Sequence, residues 1–219
     1  MSGPGEGVGM NDSSAAVLDR AVHDLIFCGV GGQGIVLASR IVAATALAAG
    51  CPVKTAETIG MAQRGGSVTS HVRIGRAAHA PLVPLGSASA IIAFEPAEAV
   101  RCLPYLAPRR GAVVVSRRAV PPVTAALTRS EYDGGEMLGY LRECGERVIV
   151  VDGDAVCSVC GSPKVLNTAL LGAAAEAGVL GFSADDLEGV IRRTLPERFV
   201  EMNVQALALG AGYTRGDSE

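Results

Sequence analysis

A glycine-rich turn joins an apolar strand to an apolar helix near the beginning of the chain. The turn reads Gly29-Val30-Gly31-Gly32-Gln33-Gly34 and follows the short apolar run Leu25–Cys28, which is suited to a buried strand. The segment after the turn is rich in Ala, Leu, Ile and Val and lacks Pro and Gly, which predicts a buried helix over Gln33–Ala49. Glycines at such a junction bring backbone N–H groups close to an anionic ligand. The turn therefore predicts an α/β fold with a binding loop after its first strand.

The composition limits both the core and the partners. The chain has 219 residues, of which 49% are hydrophobic, 4% are aromatic and none is Trp. This predicts one domain with a core of Val, Leu, Ile and Ala, as is usual in parallel sheets.

A net charge of −3 gives no electrostatic support for nucleic-acid binding. No apolar run reaches the roughly 20 residues of a membrane span, and no signal peptide is evident. Because the six cysteines lie mostly in apolar segments, we expect a cytoplasmic protein with reduced thiols.

Strand and helix signals alternate along most of the chain. This alternation predicts a three-layer, mostly parallel, Rossmann-like open sheet with helices on both faces and a helical C-terminal segment. The predicted domain spans residues 22–212, between a disordered extension over 1–21 and a flexible tail over 213–219. The predicted strands are Asp24–Cys28, Pro52–Ala56, Ser67–Ile74, Ala88–Phe94, Ala112–Ser116 and Arg147–Val151, and the predicted helices are Gln33–Ala49, Glu95–Leu103, Glu136–Cys144, Pro163–Ala177, Ser183–Thr194 and Glu197–Leu209.

A second glycine loop, residues 60–66, follows the second predicted strand. We expect it at the same end of the sheet as the first loop and on a neighbouring strand. It contains Gln63 and Arg64 and is preceded by Glu57, and polar side chains at the carboxyl end of a strand are typical of ligand sites in open α/β sheets. Arg64 could bind a carboxylate or phosphate with two hydrogen bonds, or it could be an ordinary surface arginine.

The first loop also satisfies the Gly-x-Gly-x-x-Gly pattern of dinucleotide-binding sites. Glu57 is near the position where such sites place an acidic residue for the ribose. However, the glycine loop that directly follows Glu57 is not part of the usual layout. A bound NAD or FAD and a purely structural turn therefore both remain alternatives.

The remaining candidate residues favour structural roles. Cys157-Ser158-Val159-Cys160 is a single Cys-x-x-Cys pair without a second pair, whereas structural zinc sites and iron–sulfur clusters take four ligands. A thioredoxin-like role would need the pair at the start of a helix. His71 lies in the middle of a predicted strand, where a core histidine is the commoner case. We therefore predict no metal site, and packing as the role of the two cysteines.

Taken together, the two glycine loops resemble the gamma domain of the 2-oxoacid:ferredoxin oxidoreductases. The resemblance rests on residues 29–35 and 56–68 and extends over about residues 22–212. Within the family, residues 61–64, 94–106 and 200–203 are most similar to the branch that acts on indolepyruvate.

The resemblance implies a subunit of a heteromeric complex. In this family thiamine diphosphate attacks the 2-oxoacid, iron–sulfur clusters pass electrons to ferredoxin, and CoA takes the acyl group. The resemblance places the thiamine and cluster sites on a larger alpha subunit, so this chain would bind no cofactor by itself, supply no proton-transfer residue and be inactive alone. A stand-alone NAD- or FAD-binding oxidoreductase and a purely structural subunit are the alternatives. The implied wall of the substrate or CoA site consists of Gly31, Gly32, Gln33, Gly34, Glu57, Met61, Gln63, Arg64, Gly65 and Gly66.

Overall fold

The fold is an α/β sandwich built on one sheet. The computed structural model describes residues 22–59, 65–121, 132–144 and 146–216. The elements in chain order are β1 (His23–Val30), α1 (Ile35–Ala48), β2 (Val53–Ile59), β3 (Ser67–Ile74), β4 (Ala90–Ala93), α2 (Pro96–Cys102), a 3-10 turn (Leu103–Tyr105), β5 (Ala112–Ser116), α3 (Gly135–Glu143), β6 (Arg147–Val151), α4 (Gly153–Val159), a second 3-10 turn (Pro163–Val165), α5 (Leu166–Glu176), α6 (Ala184–Thr194) and α7 (Glu197–Gly216).

The sheet has the order β2-β3-β1-β4-β5-β6. Strands β1, β4, β5 and β6 are parallel neighbours, whereas β3 runs antiparallel to both β1 and β2. The mostly parallel sheet that the alternation predicted is therefore confirmed. The prediction that the glycine loops follow neighbouring strands is wrong, because β3 lies between β1 and β2. The carboxyl ends of β1 and β2 still lie at the same end of the sheet, since both strands run antiparallel to β3.

Side-chain alternation along the strands separates two hydrophobic cores. On β1, Leu25 and Phe27 are buried in one core, together with residues of α1, α4, α5, α6 and α7. Ile26 and Cys28 point to the opposite face and are buried with residues of α2 and α3. Because successive strand residues face opposite sides of a sheet, these two cores confirm helices on both faces.

Helices α5 and α7 cross in close contact. A Cβ atom built on Gly172 of α5 would overlap the Leu207 carbonyl oxygen of α7, and one built on Gly210 would overlap the Ala169 carbonyl oxygen of α5. A buried hydrogen bond of 2.6 Å from Thr168 Oγ1 to Asn203 Oδ1 links the same helices. Asn203 belongs to the stretch 200–203 that carried part of the resemblance, so that stretch serves helix packing.

Several boundaries differ from the predicted ones. Helix α4 was not predicted, although Asp152 caps it by accepting a hydrogen bond from Ala155 N at 3.0 Å. Helix α7 continues to Gly216, so the predicted helix end at Leu209 is too early and residues 213–216 of the predicted tail are helical. The predicted extension and residues 217–219 lie outside the described residues. Over the part of the chain that is described, no helix has the length and apolar character that crossing a membrane requires.

Candidate functional site

The first glycine loop is fastened to both strands beside β1. Gly31 N donates to Gly66 O at 2.8 Å, which ties the loop to the residue just before β3. Gln33 Oε1 accepts from Val30 N at 2.7 Å, and Gln33 Nε2 donates to Phe94 O at 3.0 Å, next to the end of β4. The Gln33 side chain therefore holds the loop in place from within.

Two glycines of this loop adopt backbone conformations that other residues avoid. Gly32 has φ 104° and Gly34 has φ 90°, in the region that L side chains rarely occupy. A Cβ atom on Gly32 would meet no heavy atom within 4 Å, whereas one on Gly34 would lie 3.3 Å from Asn167 Nδ2. The loop is thus closed on the α5 side and open at Gly32.

A pocket of about 510 Å³ lies beside this loop at the carboxyl edge of the sheet, and we call it the glycine-loop pocket. Open α/β sheets bind ligands at this edge. Its positive charges come from Arg118, which follows β5, and Lys164, which precedes α5. Arg118 Nη1 lies 3.5 Å from the exposed carboxylate of Asp154. The full lining is Gly32, Gln33, Gly34, Leu37, Arg118, Val120, Pro163, Lys164, Leu166 and Asn167.

Backbone N–H groups add to the positive character of this pocket. Gly34 caps α1 without a side-chain hydrogen bond, and the first turn of α1 carries no acidic residue. Within the described ranges, the N–H groups of Gly32 and Gly34 donate to no protein acceptor. Unsatisfied N–H groups at a helix start attract anions, so the pocket combines two cationic side chains with backbone donors.

The sequence predicted part of this pocket and missed the rest. The predicted site residues Gly32, Gln33 and Gly34 line this pocket, whereas Arg118, Lys164 and Asn167 come from segments that were not predicted to belong to a site. For Arg118 a signal existed, because a basic pair directly follows the apolar run 112–116 at a strand's carboxyl end. Lys164 and Asn167 carry no comparable local signal.

The second glycine loop is only partly described. Met61, Gln63 and Arg64 lie outside the described residues. Gly65 has φ 77°, and Gly66 receives the hydrogen bond from the first loop. The described remainder of the second loop therefore touches the first loop directly.

Glu57 lies away from the first loop. It sits inside β2, and its carboxylate is 3.8 Å from Arg40 Nε on the exposed side of α1. With β3 between β1 and β2, Glu57 is about 10 Å away in the strand-to-strand direction. The adjacent strand-end position that a dinucleotide site uses for the ribose is occupied by β3, and this weakens the dinucleotide alternative.

Hydrogen bonds to Glu95, in the stretch 94–106, fix the chain just after β4. Glu95 is buried and caps α2 by accepting a hydrogen bond from Glu98 N at 3.0 Å. Tyr132 donates its hydroxyl proton to the other carboxylate oxygen of Glu95. Burial, and then the hydrogen bond to Glu95, raise the pKa of Tyr132 well above its usual range. This pair holds the residues just after β4 in place. One of them is Phe94, whose carbonyl oxygen accepts the hydrogen bond from Gln33 Nε2.

The cysteines and the central histidine have structural surroundings. Cys157 lies near the end of α4 and Cys160 just after it, away from the helix start that a redox pair needs, and burial raises the pKa of both thiols. His71 Nδ1 accepts a hydrogen bond from Val83 N at 3.2 Å, and burial lowers the pKa of His71. Among the described residues, no group of His, Cys, Asp or Glu side chains could hold a metal ion.

Comparison with known proteins identifies the family. The sequence pattern of the pyruvate ferredoxin/flavodoxin oxidoreductase family matches residues 24–213, and the chain belongs to this family. It is 39% identical over 187 residues to the indolepyruvate oxidoreductase subunit IorB of Archaeoglobus fulgidus. The aligned region covers 85% of this chain and 92% of that protein. It is 33% identical over 190 residues to the IorB subunit of Pyrococcus horikoshii, covering 86% and 94%. The chain is thus a subunit of a 2-oxoacid:ferredoxin oxidoreductase, which confirms the resemblance drawn from the glycine loops.

Solved structures confirm the fold class. The gamma subunit of a keto/oxoacid ferredoxin oxidoreductase from Geobacter sulfurreducens superposes with a TM-score of 0.63 at 22% identity, over 89% of this chain and 99% of that one. The 2-oxoglutarate:ferredoxin oxidoreductase from Magnetococcus marinus gives a TM-score of 0.64 at 18% identity, over 90% of this chain and 32% of the larger one. The fold therefore occurs both as a separate subunit and within a longer chain.

Proposed function

We propose that this chain is the small subunit of an indolepyruvate ferredoxin oxidoreductase and forms one wall of the cleft that the oxoacid or CoA enters. The choice of substrate is supported by the two IorB relatives, at 39% and 33% identity. The observation that carries the site assignment is the glycine-loop pocket, where Arg118 and Lys164 line the same cavity as Gly32 and Gly34.

The cofactors of this reaction belong, in our proposal, to a larger partner subunit. An iron–sulfur cluster takes four cysteine thiolates, and the described part of this chain offers no cluster of metal-binding side chains. Bound to the partner, thiamine diphosphate would supply the electron sink that allows the 2-oxoacid to lose CO2, and iron–sulfur clusters would carry the electrons to ferredoxin. A cytoplasmic location completes the proposal and is supported by six free thiols, because disulfides are rare in that compartment.

The residues of this chain would bind and orient the anionic co-substrate. Arg118 and Lys164 attract a phosphate or carboxylate, and the N–H groups of Gly32 and Gly34 offer additional donors. Charge-assisted hydrogen bonds to such groups are roughly twice as strong as neutral ones. Leu37 and other apolar lining residues would exclude water from the uncharged part of the ligand. The second glycine loop, with Met61, Gln63 and Arg64, would add contacts from the neighbouring side.

The test is Lys164→Gln in the complex assembled with the partner subunit. We expect the KM for CoA or for indolepyruvate to rise at least about tenfold, because removing a charged hydrogen-bond partner costs roughly 1.5–3 kcal/mol, while the complex elutes at its normal size. Lys54→Gln, on the exposed edge strand β2, is the matched control and should leave both KM values unchanged. Unchanged kinetics in Lys164→Gln would contradict the site assignment, and lost assembly with normal residual kinetics would favour a purely structural subunit.

A further inference from the structure

A second concave site lies at the β6 edge of the sheet, separate from the glycine-loop pocket. This edge pocket has a volume of about 450 Å³ and shares no lining residue with the glycine-loop pocket. It is lined by Arg117, Arg142, Val148, Val150, Asp152 and Tyr213. Three elements that are distant in sequence therefore meet here: the segment after β5, the end of α3 and the end of α7.

The edge pocket has two guanidinium groups, those of Arg117 and Arg142, that form no ion pair with the acidic side chains the structure describes. Within the described ranges, neither the Arg117 nor the Arg142 side chain forms an ion pair or a hydrogen bond. The adjacent Arg118, in contrast, faces Asp154 at 3.5 Å and lines the other pocket. Two consecutive arginines thus line different cavities, Arg118 the glycine-loop pocket and Arg117 the edge pocket.

The remaining polar groups of the edge pocket are already occupied. Asp152 Oδ1 accepts a hydrogen bond from Ala155 N at 3.0 Å, so this carboxylate is engaged at the start of α4. Tyr213 donates its hydroxyl proton to Asp152 O at 3.2 Å, and burial raises the pKa of Tyr213. The tyrosine therefore stays neutral near pH 7. Two positive charges face a single, engaged carboxylate.

The floor of the edge pocket is apolar. Val148 and Val150 lie on the same face of β6, are partly buried and pack against the core beneath α2 and α3. Among the described strands, β6 is the last in the sheet and pairs with β5 alone, so this floor lies at the edge of the described sheet. An apolar floor below two arginines suits a molecule that combines a charged group with a compact apolar body.

We propose that the edge pocket binds a small organic oxyanion, a phosphate or carboxylate on a compact apolar group, through Arg117 and Arg142. The planar guanidinium groups would bind the oxyanion with paired hydrogen bonds, and Val148 and Val150 would contact the apolar part. This site is additional to the proposed substrate or CoA site, because the two pockets share no lining residue.

Equilibrium binding to the full-length chain in complex with its partner subunit tests the proposal. Phenyl phosphate and benzoate serve as probes, and calorimetry measures each separately, so that phosphate and carboxylate recognition are distinguished. We expect saturable binding of at least one probe near or below about 1 mM. Arg142→Gln and Arg117→Gln should each weaken that binding at least about tenfold, and added salt should weaken it in the unmodified complex.

Two control variants locate the binding. Arg110→Gln removes the same charge from an exposed position before β5, at the opposite end of that strand from Arg117, and should leave the affinity unchanged within twofold. Lys164→Gln, in the glycine-loop pocket, should also leave it unchanged. Absence of saturable binding at about 10 mM, or binding that falls with Lys164→Gln but not with Arg142→Gln, would overturn the proposal.

Discussion

The glycines of the first loop and those between α5 and α7 serve opposite purposes. Gly32 and Gly34 are needed for their backbone angles, φ 104° and 90°, and a Cβ atom on Gly32 would meet only open space. Gly172 and Gly210 are ordinary helical residues by backbone angle, but a Cβ atom on either would overlap a backbone carbonyl of the facing helix. Gly32 leaves open space beside the glycine-loop pocket, whereas the helix glycines let two backbones touch.

This difference predicts different consequences of the same substitution. Added bulk in the loop would strain one turn and obstruct the pocket while leaving the core intact. Added bulk between the helices would separate two elements that are buried on several sides, because a backbone carbonyl cannot rotate away as a side chain can. A substitution in the loop should therefore lower activity more than stability. A substitution between the helices should lower stability more than activity.

The largest expected effect is that of Gly210→Ala in the α5–α7 contact. The new Cβ atom would overlap the Ala169 carbonyl oxygen, and we expect a loss of about 3 kcal/mol or more in the free energy of unfolding. Differential scanning calorimetry should show a Tm lower by roughly 6–12 °C. Gly212→Ala on the same helix meets nothing within 4 Å and should leave Tm unchanged or higher. Equal Tm values for the two variants would refute the close-contact interpretation.

Thr168→Val should have the next largest effect. The substitution keeps the side-chain shape but removes the donor to Asn203 Oδ1, and a buried polar group that loses its partner costs about 1–3 kcal/mol. Chemical denaturation measures the change. Thr45→Val is the matched control, because the Thr45 hydroxyl donates only to Ile41 O within its own helix. A cost no greater than that of Thr45→Val would show that the Thr168–Asn203 bond contributes little.

Gly32→Ala should reverse the balance between stability and activity. The strained backbone angle costs about 1–2 kcal/mol, and no clash adds to it because the Cβ position is open. We expect a Tm decrease of only a few degrees but a marked loss of turnover in the assembled complex. Normal turnover with a lowered Tm would remove Gly32 from the proposed wall.

The smallest effect is that of pH on stability, through His71, which is buried, and His23, which is half-buried. Burial lowers the pKa of both His23 and His71 from the usual value near 6.5. Since the unfolded chain then binds protons more readily than the folded one, stability is full above pH 6.5 and declines as the pH falls below it. The slope is at most about 1.4 kcal/mol per pH unit for each histidine. Unfolding curves between pH 7 and pH 5 measure this decline, which should be shallower in His71→Asn; an increase in stability on acidification would contradict it.

The sequence identified the loop more readily than the packing, for a physical reason. The first loop is a local feature, since strand, glycines and helix follow one another directly in the chain. The boundaries of β3 and β5 were also predicted correctly, because apolar, β-branched runs bounded by turn residues indicate strands locally. The helix predicted over Ser183–Thr194 starts with a capping box of Ser183 and Asp186, which is likewise a local feature.

Features that depend on distant segments were missed. The pattern of Ser67–Ile74 is the same whichever way the strand runs, so the sequence did not reveal that β3 inserts antiparallel between β1 and β2. Gly172 and Gly210 weaken their helices locally and are explained only by the facing helix. Lys164 and Arg118 converge on the first loop only after folding. The roles of Met61, Gln63 and Arg64 stay predictions.

Exposed apolar side chains bear on the need for a partner. The subunit hypothesis predicts an apolar face that requires one. Among the described residues, large exposed apolar side chains occur at Leu47 on α1, Leu82 and Leu85 before β4, and Tyr140 on α3. They lie on several elements, so the position of the interface stays a prediction.

Reconstitution of activity tests the central claim most directly. The chain would be purified alone and together with its partner subunit, and each preparation assayed anaerobically for viologen reduction that depends on both indolepyruvate and CoA. We predict no activity for the chain alone, and activity with a brown, thiamine-containing partner. A chain that purifies without a partner and binds an adenine nucleotide, or an assembled complex that does not respond to any 2-oxoacid, would contradict the assignment.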